Sequence, residues 1–382
     1  MYRIFFFLIL FSGGLLHGQT TADLLAAQEL QAAELRKQLA ATEADIEALK
    51  LTQVTEDLRA IGRPAGTVVE HSALHLSYDE SHEQARWVAH IIRPEIIDGA
   101  VFRSNDFRED PLVRTGTAVE ADYFLKYLQP DSTYRYDGFG YDRGHLAPSA
   151  DFRWSAKALS ESYFYSNMSP QRAEFNREGW AELERALRGY IYEHPGTQLY
   201  VVTGPVLKPG LPVIERSFNK VTIPEQYFKV ALDLPRGRAI GFIMPNQKIE
   251  YPLAHYAVTV DEVESLTGLD FFNLAPNQEV FESSIDKSSW LPEVAAGNVE
   301  PIAAHSLPKG HYNTVMAQGQ MKTGREVTVV GTVVSTRYSR SGNFWLNLDK
   351  KFPNQLFSVF IRKKDLVNFS YDLQTLEGKV IQ

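Results

Sequence analysis

Between Tyr141 and Glu184 a single histidine, His145, sits in the run YDRGHLAPSADFRWS, and polar side chains able to work with it follow in SNMSPQRAEFNREGWAELE. The chemistry open to these residue types is cleavage of a phosphodiester. That reaction needs a base to activate water, positive charge against the developing phosphorane, and help for the departing oxygen. His145 is the candidate base, and Arg143 offers a fork of donors matched to phosphate oxygens. Gly144 removes a side chain where backbone and phosphate must approach closely. Asp142 could orient a neighbouring group. Taken alone, a histidine in a polar loop reads equally well as a surface residue.

Asn176, Trp180 and Glu184 are spaced four apart. On an α-helix they fall within roughly 80° of one another, as one stripe. The amide oxygen of Asn176 suits a hard cation such as Mg²⁺, which keeps most of its waters. Glu184 could hold those waters from behind. Trp180 reads as packing, and Gly179, costing about 1 kcal/mol inside a helix, hints at a close neighbour. The bland alternative is a solvated face with a core tryptophan.

The same residues resemble the DNA/RNA non-specific endonucleases, the ββα-metal family that includes secreted bacterial nucleases and mitochondrial endonuclease G. Asp142-Arg143-Gly144-His145 matches the family's DRGH motif, Ser166-Asn167 with Pro170-Gln171 its next block, and Asn176, Trp180 and Glu184 its metal helix. Weaker matches are Tyr78-Asp79, Trp87, Val202 to Pro205, Lys229, Pro245-Asn246 and Thr267-Gly268; together they span Gly66 to Ser284. The resemblance implies His145 as general base and Asn176 as the one direct protein ligand of Mg²⁺, with Mn²⁺ or another divalent cation able to substitute. It implies Glu184 behind the cation's waters, Asn167 shaping the site, Arg143 on phosphate, and products with 5′-phosphate ends. Arg143, Asn167 and Glu184 thus join His145 as catalytic candidates, and Asp142 is a candidate substrate contact. An upstream arginine contributes in some members; Arg103 and Arg108 are both candidates here. Family members often dimerise through the core.

The rest of the chain must position this stretch. Its 382 residues suffice for one large or two modest domains, and a hydrophobic content of 44% excludes a disordered chain. Without cysteine there is no disulfide, zinc-thiolate site or thiol nucleophile, which leaves any metal to oxygen or imidazole ligands. Arg3 before the apolar run Ile4 to Leu16, with Gly18 at a cleavage position, reads as a signal peptide over 1–18, hence a secreted or periplasmic protein. From Thr21 to Ile61 there is neither Pro nor Gly, and positions 25, 28, 32, 35, 39, 42, 46 and 49 form a heptad pattern with two polar interruptions. That predicts a helix serving as coiled-coil oligomeriser or spacer, or one lying on its own domain.

A nuclease domain is expected over 66–290. Short strand-like runs (His75 to Tyr78, Ala85 to Ile92, Leu199 to Thr203, Tyr227 to Leu232, Ile240 to Met244) interleave with helical ones (Ala156 to Tyr165, Glu178 to Tyr190, Val260 to Thr267) without a βαβ period. The fold class is therefore α+β, a mixed sheet with helices. Pro and Gly break the pattern over 291–324, which reads as a linker.

Residues 325–382 are β-rich, and Lys322 to Lys364 carry nine Lys or Arg against two acids in a chain of net charge -8. Aromatics beside cations, Trp345 and Lys350 among them, suggest a small barrel that stacks bases and holds phosphates. The tail is similar to OB-fold nucleic-acid-binding modules through Gly331 to Val334 and Phe344 to Asn347, and the chain stops at a strand-like Val380-Ile381, as though the module were truncated. The expected partner is DNA, RNA or both. The alternatives are a silent protein that captures nucleic acid and a phosphodiesterase for another substrate.

Overall fold

The computed structural model describes residues 20–291, 297–320, 326–352 and 354–382, so the signal-peptide reading lies outside the described residues. Helix α1 (Thr21–Ala60) opens with the Thr20 hydroxyl accepting from the Asp23 amide while the Asp23 carboxylate accepts from Thr20. Such a reciprocal cap satisfies amides that the first turn leaves unpaired. Its first thirty residues form a unit of their own, along which Leu25, Leu35, Leu39, Ile46 and Leu49 are exposed. Leu51, Val54 and Leu58, at helical spacing, are buried with the central hydrophobic core, so the last turns of the heptad helix belong to that core. The helix ends at Gly62, whose φ of +88° suits glycine and whose missing Cβ would lie 2.5 Å from the Leu274 amide nitrogen.

The core is a seven-stranded sheet in which every pairing is antiparallel: β1 (Val68–Glu70), β2 (Leu74–Asp79), β3 (Gln84–Ile92), β8 (Leu199–Pro205), β9 (Gln226–Asp233), β10 (Arg238–Pro245) and β11 (Ala257–Val258), neighbours in that order. β8 is buried throughout and β9 nearly so, which explains why they read as continuous apolar runs rather than alternating ones. Trp87, Phe228, Phe242 and Phe271 are among the side chains fully buried against this sheet, each stabilising by about 1.5–3 kcal/mol. The helices α2 (Ala156–Glu161) and α3 (Ala181–Glu193) complete the α+β core, α3 burying Leu183, Leu187, Tyr190 and Ile191.

Two hairpins stand apart from the large sheet. β4 (Phe124–Leu128) pairs with β5 (Tyr134–Gly138), and β6 (Asp142–His145) pairs with β7 (Met168–Gln171). Neither pair was legible in the sequence, where His145 was placed in a loop; the strands are four or five residues long, and DRGH and MSPQ show no apolar alternation. A π-helical turn, Phe175–Trp180, follows β7 and runs directly into α3.

The segment expected to be a linker is partly built into the C-terminal module. It supplies β12 (His311–Asn313), parallel to β13 (Thr328–Tyr338), and a helix, Thr314–Gln320. The Thr314 hydroxyl donates to buried Asp349 at 2.6 Å, so this helix is fixed to the module. β14 (Phe344–Leu348) and β15 (Phe357–Ile361) continue the sheet, and β16 (Val380–Ile381) joins β13 past its irregularity at Val333 and Ser335. Tyr192, at the end of α3, packs on Phe352 at 4.3 Å between ring centres and lies under the Arg337 guanidinium. Among the described residues no helix is long and apolar enough to cross a membrane.

Candidate active site

β6, β7 and the helix after them bring the chemistry together. Gly144 pairs with Ser169, and a Cβ on Gly144 would lie 2.1 Å from the Gln171 side-chain oxygen. Packing inside the hairpin, rather than the approach of phosphate that Gly144 had suggested, is therefore what demands glycine. Beside it, His145 is walled by Tyr163, edge-on at 5.0 Å, and by Phe107. Its Nε2 is buried and has no hydrogen-bond partner. Burial, with Arg103 and then Arg143 adding positive charge, pushes its pKa down to about 3. The imidazole is accordingly neutral at physiological pH, with a nitrogen free to accept a proton.

Arg143 lies flat over Phe107, 3.7 Å from the ring centre, and over Phe124 at 4.9 Å, and donates to the Tyr165 hydroxyl at 3.3 Å. Its charge is held in place by aromatic faces and remains available to an anion. Glu120 is 3.9 Å away.

Asp142 is tied to the helix that follows. Its carboxylate accepts from Asn176 Nδ2 at 2.9 Å and, doubly, from Arg177 at 2.8 and 2.6 Å. With the amide nitrogen so engaged, the Asn176 oxygen accepts no hydrogen bond among the described residues. The π-helical turn alters the α-helical stripe expected for Asn176, Trp180 and Glu184, because an i→i+5 turn holds one more residue than an α-turn. It lets the adjacent Asn176 and Arg177 both reach Asp142. Gly179 sits under Ile249, with a Cβ contact of 2.8 Å, the close neighbour its presence hinted at, and Trp180 is fully buried against Phe175 and Tyr227.

Behind these groups lies a buried ionic chain. Burial pushes Glu184 up to about 7, opposed by Arg188 and Lys229, and pushes Lys229 down to about 8, opposed by Glu184 and Asp151. Lys229 donates to the carbonyl of Leu146, next to His145, at 3.2 Å and to Thr203 at 2.6 Å, and its ammonium lies 4.8 Å from the Trp180 ring centre. Asp151 accepts from Arg188 at 2.8 Å and pairs with His90 at 2.9 Å. Such a chain satisfies buried charges that would each be costly alone. Its members lie between 90 and 229 in the chain, so only Glu184, as a catalytic candidate, and Lys229, as a weak motif match, had been singled out.

Asn167, among the catalytic candidates, is a positioning residue. Its side chain accepts from the Ala147 amide and donates to the carbonyls of Ala147 and Ser162, which clamps the turn after His145. Of the two upstream arginines, Arg108 is committed to Asp106, to Ser160 and to the Phe164 ring. Arg103 is exposed and its charge acts on His145. Trp345 and Lys350 belong to the C-terminal module; Trp345 pairs with Phe360 at 4.5 Å, whereas Lys350 is engaged by Glu300.

A model of the DNA/RNA non-specific endonucleases matches residues 56–278. The chain belongs to the DNA/RNA non-specific endonuclease family. Endonuclease G, mitochondrial, from Bos taurus is 32% identical over 231 residues, 56% of this chain and 72% of that protein. A protein named Nuclease from Nostoc sp. is 35% identical over 225 residues, 55% of this chain and 76% of its own. A crystal structure of an EndoG/EndoGI complex is 27% identical and covers 59% of this chain and 91% of its own, with a TM-score of 0.47. The chain is thus a nuclease, a hydrolase of phosphodiester bonds in nucleic acid. The resemblance carried by DRGH and its companion blocks is borne out, as is the α+β fold class.

The endonuclease site fits a divalent cation. Among the described residues the neutral amide oxygen of Asn176 is left without a hydrogen bond while its nitrogen is held by the Asp142 carboxylate, and there is no thiol in the chain. Hard oxygen donors of this kind suit Mg²⁺ or Mn²⁺.

Proposed function

We propose that the protein is a Mg²⁺-dependent endonuclease of low sequence preference that hydrolyses DNA, RNA or both to products with 5′-phosphate ends. The observation that carries this reading is the buried, unpartnered and neutral Nε2 of His145 beside two arginines. The neutral imidazole of His145 removes the proton from the water attacking phosphorus. The arriving phosphate brings negative charge, which raises the basicity of His145 as the complex forms. Arg143, fixed on its aromatic faces, meets the phosphate oxygens, and Arg103 adds a second cation. Asn176, held by Asp142, and Glu184 would hold the divalent cation, which supplies charge on the phosphate and on the departing 3′-oxygen.

Contacts to phosphate rather than to base edges make such an enzyme tolerant of sequence and sensitive to salt. The C-terminal module is proposed to retain nucleic acid; the partly exposed Trp345–Phe360 pair, with Arg337 in register with Trp345, supports this. The apolar run near the N-terminus supports export, and the exposed leucines of α1 support oligomerisation through that helix.

The test is release of fragments from plasmid DNA by the full chain with Mg²⁺ and with excess chelator, beside His145→Ala. Cleavage should require the metal and fall about 10²- to 10⁴-fold in the variant. Undiminished cleavage in chelator or by His145→Ala overturns the mechanism. Binding without cleavage by both proteins makes the chain a capture protein.

A further inference from the structure

The β4–β5 hairpin leads directly into the DRGH strand, yet beyond Phe124 under Arg143 nothing in the reaction above uses it. Its register pairs Phe124 with Gly138, Lys126 with Tyr136, and Leu128 with Tyr134. Side chains alternate along a strand, so Phe124, Lys126, Leu128, Tyr134 and Tyr136 share one face. The contacts confirm it: Tyr136 meets Phe124 edge-on at 5.5 Å, and the Lys126 ammonium lies 5.9 Å from the centre of the Tyr136 ring and 5.8 Å from that of Tyr134. At its inner end this row reaches the site, because Phe124 is one of the two rings under the Arg143 guanidinium. At its outer end it is open, with Tyr136 59%, Tyr134 53% and Leu128 66% exposed. Aromatic rings and a cation therefore run in one line from the phosphate-binding arginine into solvent.

We infer that this face of the β4–β5 hairpin is a substrate track on which unpaired bases of the polynucleotide, to one side of the scissile phosphate, stack on Tyr136 and then Tyr134. The inference rests on the nuclease reading above. An unpaired strand is the occupant because rings of this kind bind the flat faces of bases, which a duplex hides in its own stack. Phe124 to Leu128 covers about 13 Å at ~3.3 Å per residue, room for more than one base. Lys126 completes the chemistry, since a cation beside stacked bases meets the phosphates between them. In the free protein Glu120 is 2.7 Å from Lys126 and 3.9 Å from Arg143, a carboxylate between the two cations that substrate phosphates would pair with.

The experiment compares the full wild-type chain with Tyr134→Ala/Tyr136→Ala and Tyr134→Phe/Tyr136→Phe. Substrates are a single-stranded oligonucleotide of about twenty residues and a dinucleotide, and oligomeric state is measured by light scattering. Each lost ring should lower kcat/KM for the long strand by about 5-fold or more, mainly through KM. The dinucleotide, too short to reach the rings, should be cleaved as by wild type, and the phenylalanine pair should restore the long strand. Glu120→Gln should tighten binding of the long strand measured with chelator present. Equal loss on both substrates, or no loss on either, overturns the track. A change of oligomeric state in the alanine pair also overturns it, since the face would then be an interface between copies. If wild type cleaves neither substrate, the nuclease reading itself has failed.

Discussion

Removing the Asp142 carboxylate should weaken the cation's hold without destroying the catalytic apparatus. Asp142 touches two neighbours in the helix that follows, taking one hydrogen bond from Asn176 and two from Arg177. Arg177 is 66% exposed, so its ion pair contributes at most about 1 kcal/mol to stability. The bond from Asn176 is of another kind, because it decides which end of the amide faces outward. In Asp142→Ala the amide can turn its NH₂ toward the cation. A hydrogen bond to a charged acceptor is worth about 1.5–3 kcal/mol, or roughly 10- to 150-fold, and removing an outer partner of a metal ligand typically costs 10–100-fold in affinity. The half-saturating Mg²⁺ concentration for plasmid cleavage should therefore rise about 10- to 100-fold, with most of the rate recovered at saturating Mg²⁺. Asp142→Asn, whose oxygen still accepts from Asn176 but carries no charge, should fall between, and Arg177→Ala should stay within about 3-fold of wild type. An unchanged Mg²⁺ requirement with a reduced maximal rate would refute this account, as would Arg177→Ala reproducing the whole effect.

Because Glu184 titrates near 7, Mg²⁺ binding should release a proton below that pH, and apparent affinity should fall up to about tenfold per pH unit on acidification. A calorimetric titration at pH 6, 7 and 8 measures this, and Glu184→Gln should abolish the slope. Lys229→Ala should cost about 3–5 kcal/mol in urea denaturation, since Glu184 and Asp151 would keep buried charge without it. Glu282 is buried near Glu264 and Asp261, and burial raises it from the carboxylate range to about 7. Its folded pKa exceeds its unfolded one, so its contribution is complete below about 4.5 and is lost as pH rises through 7. Glu282→Gln should accordingly be more stable than wild type at pH 8 by about 1–3 kcal/mol and no more stable at pH 4.5, read from melting at the two pH values.

What the sequence determined was the chemistry and the elements long enough to have a period. DRGH, Asn176 and Glu184 are recognisable because they match the family's motif blocks, β3, β8 and β9 because burial leaves nearly unbroken apolar runs, and α3 because its buried face repeats at helical spacing. The exposed heptad residues of α1 were legible for the same reason, although the burial of Leu51, Val54 and Leu58 was not. Helix-spaced residues look alike in sequence whether they meet a core or water.

Tertiary structure decided the contacts. It tied Asp142 to Asn176 and Arg177, and Asn167 to the turn after His145. It also committed Arg108 to Asp106 and Ser160, built part of the expected linker into a sheet, and linked His90, Asp151 and Arg188 by hydrogen bonds. The physical reason is common to all five. A hydrogen bond or ion pair depends on distances of about 3 Å between residues that here lie up to 61 positions apart in the chain, and such proximity leaves no periodic trace in the sequence.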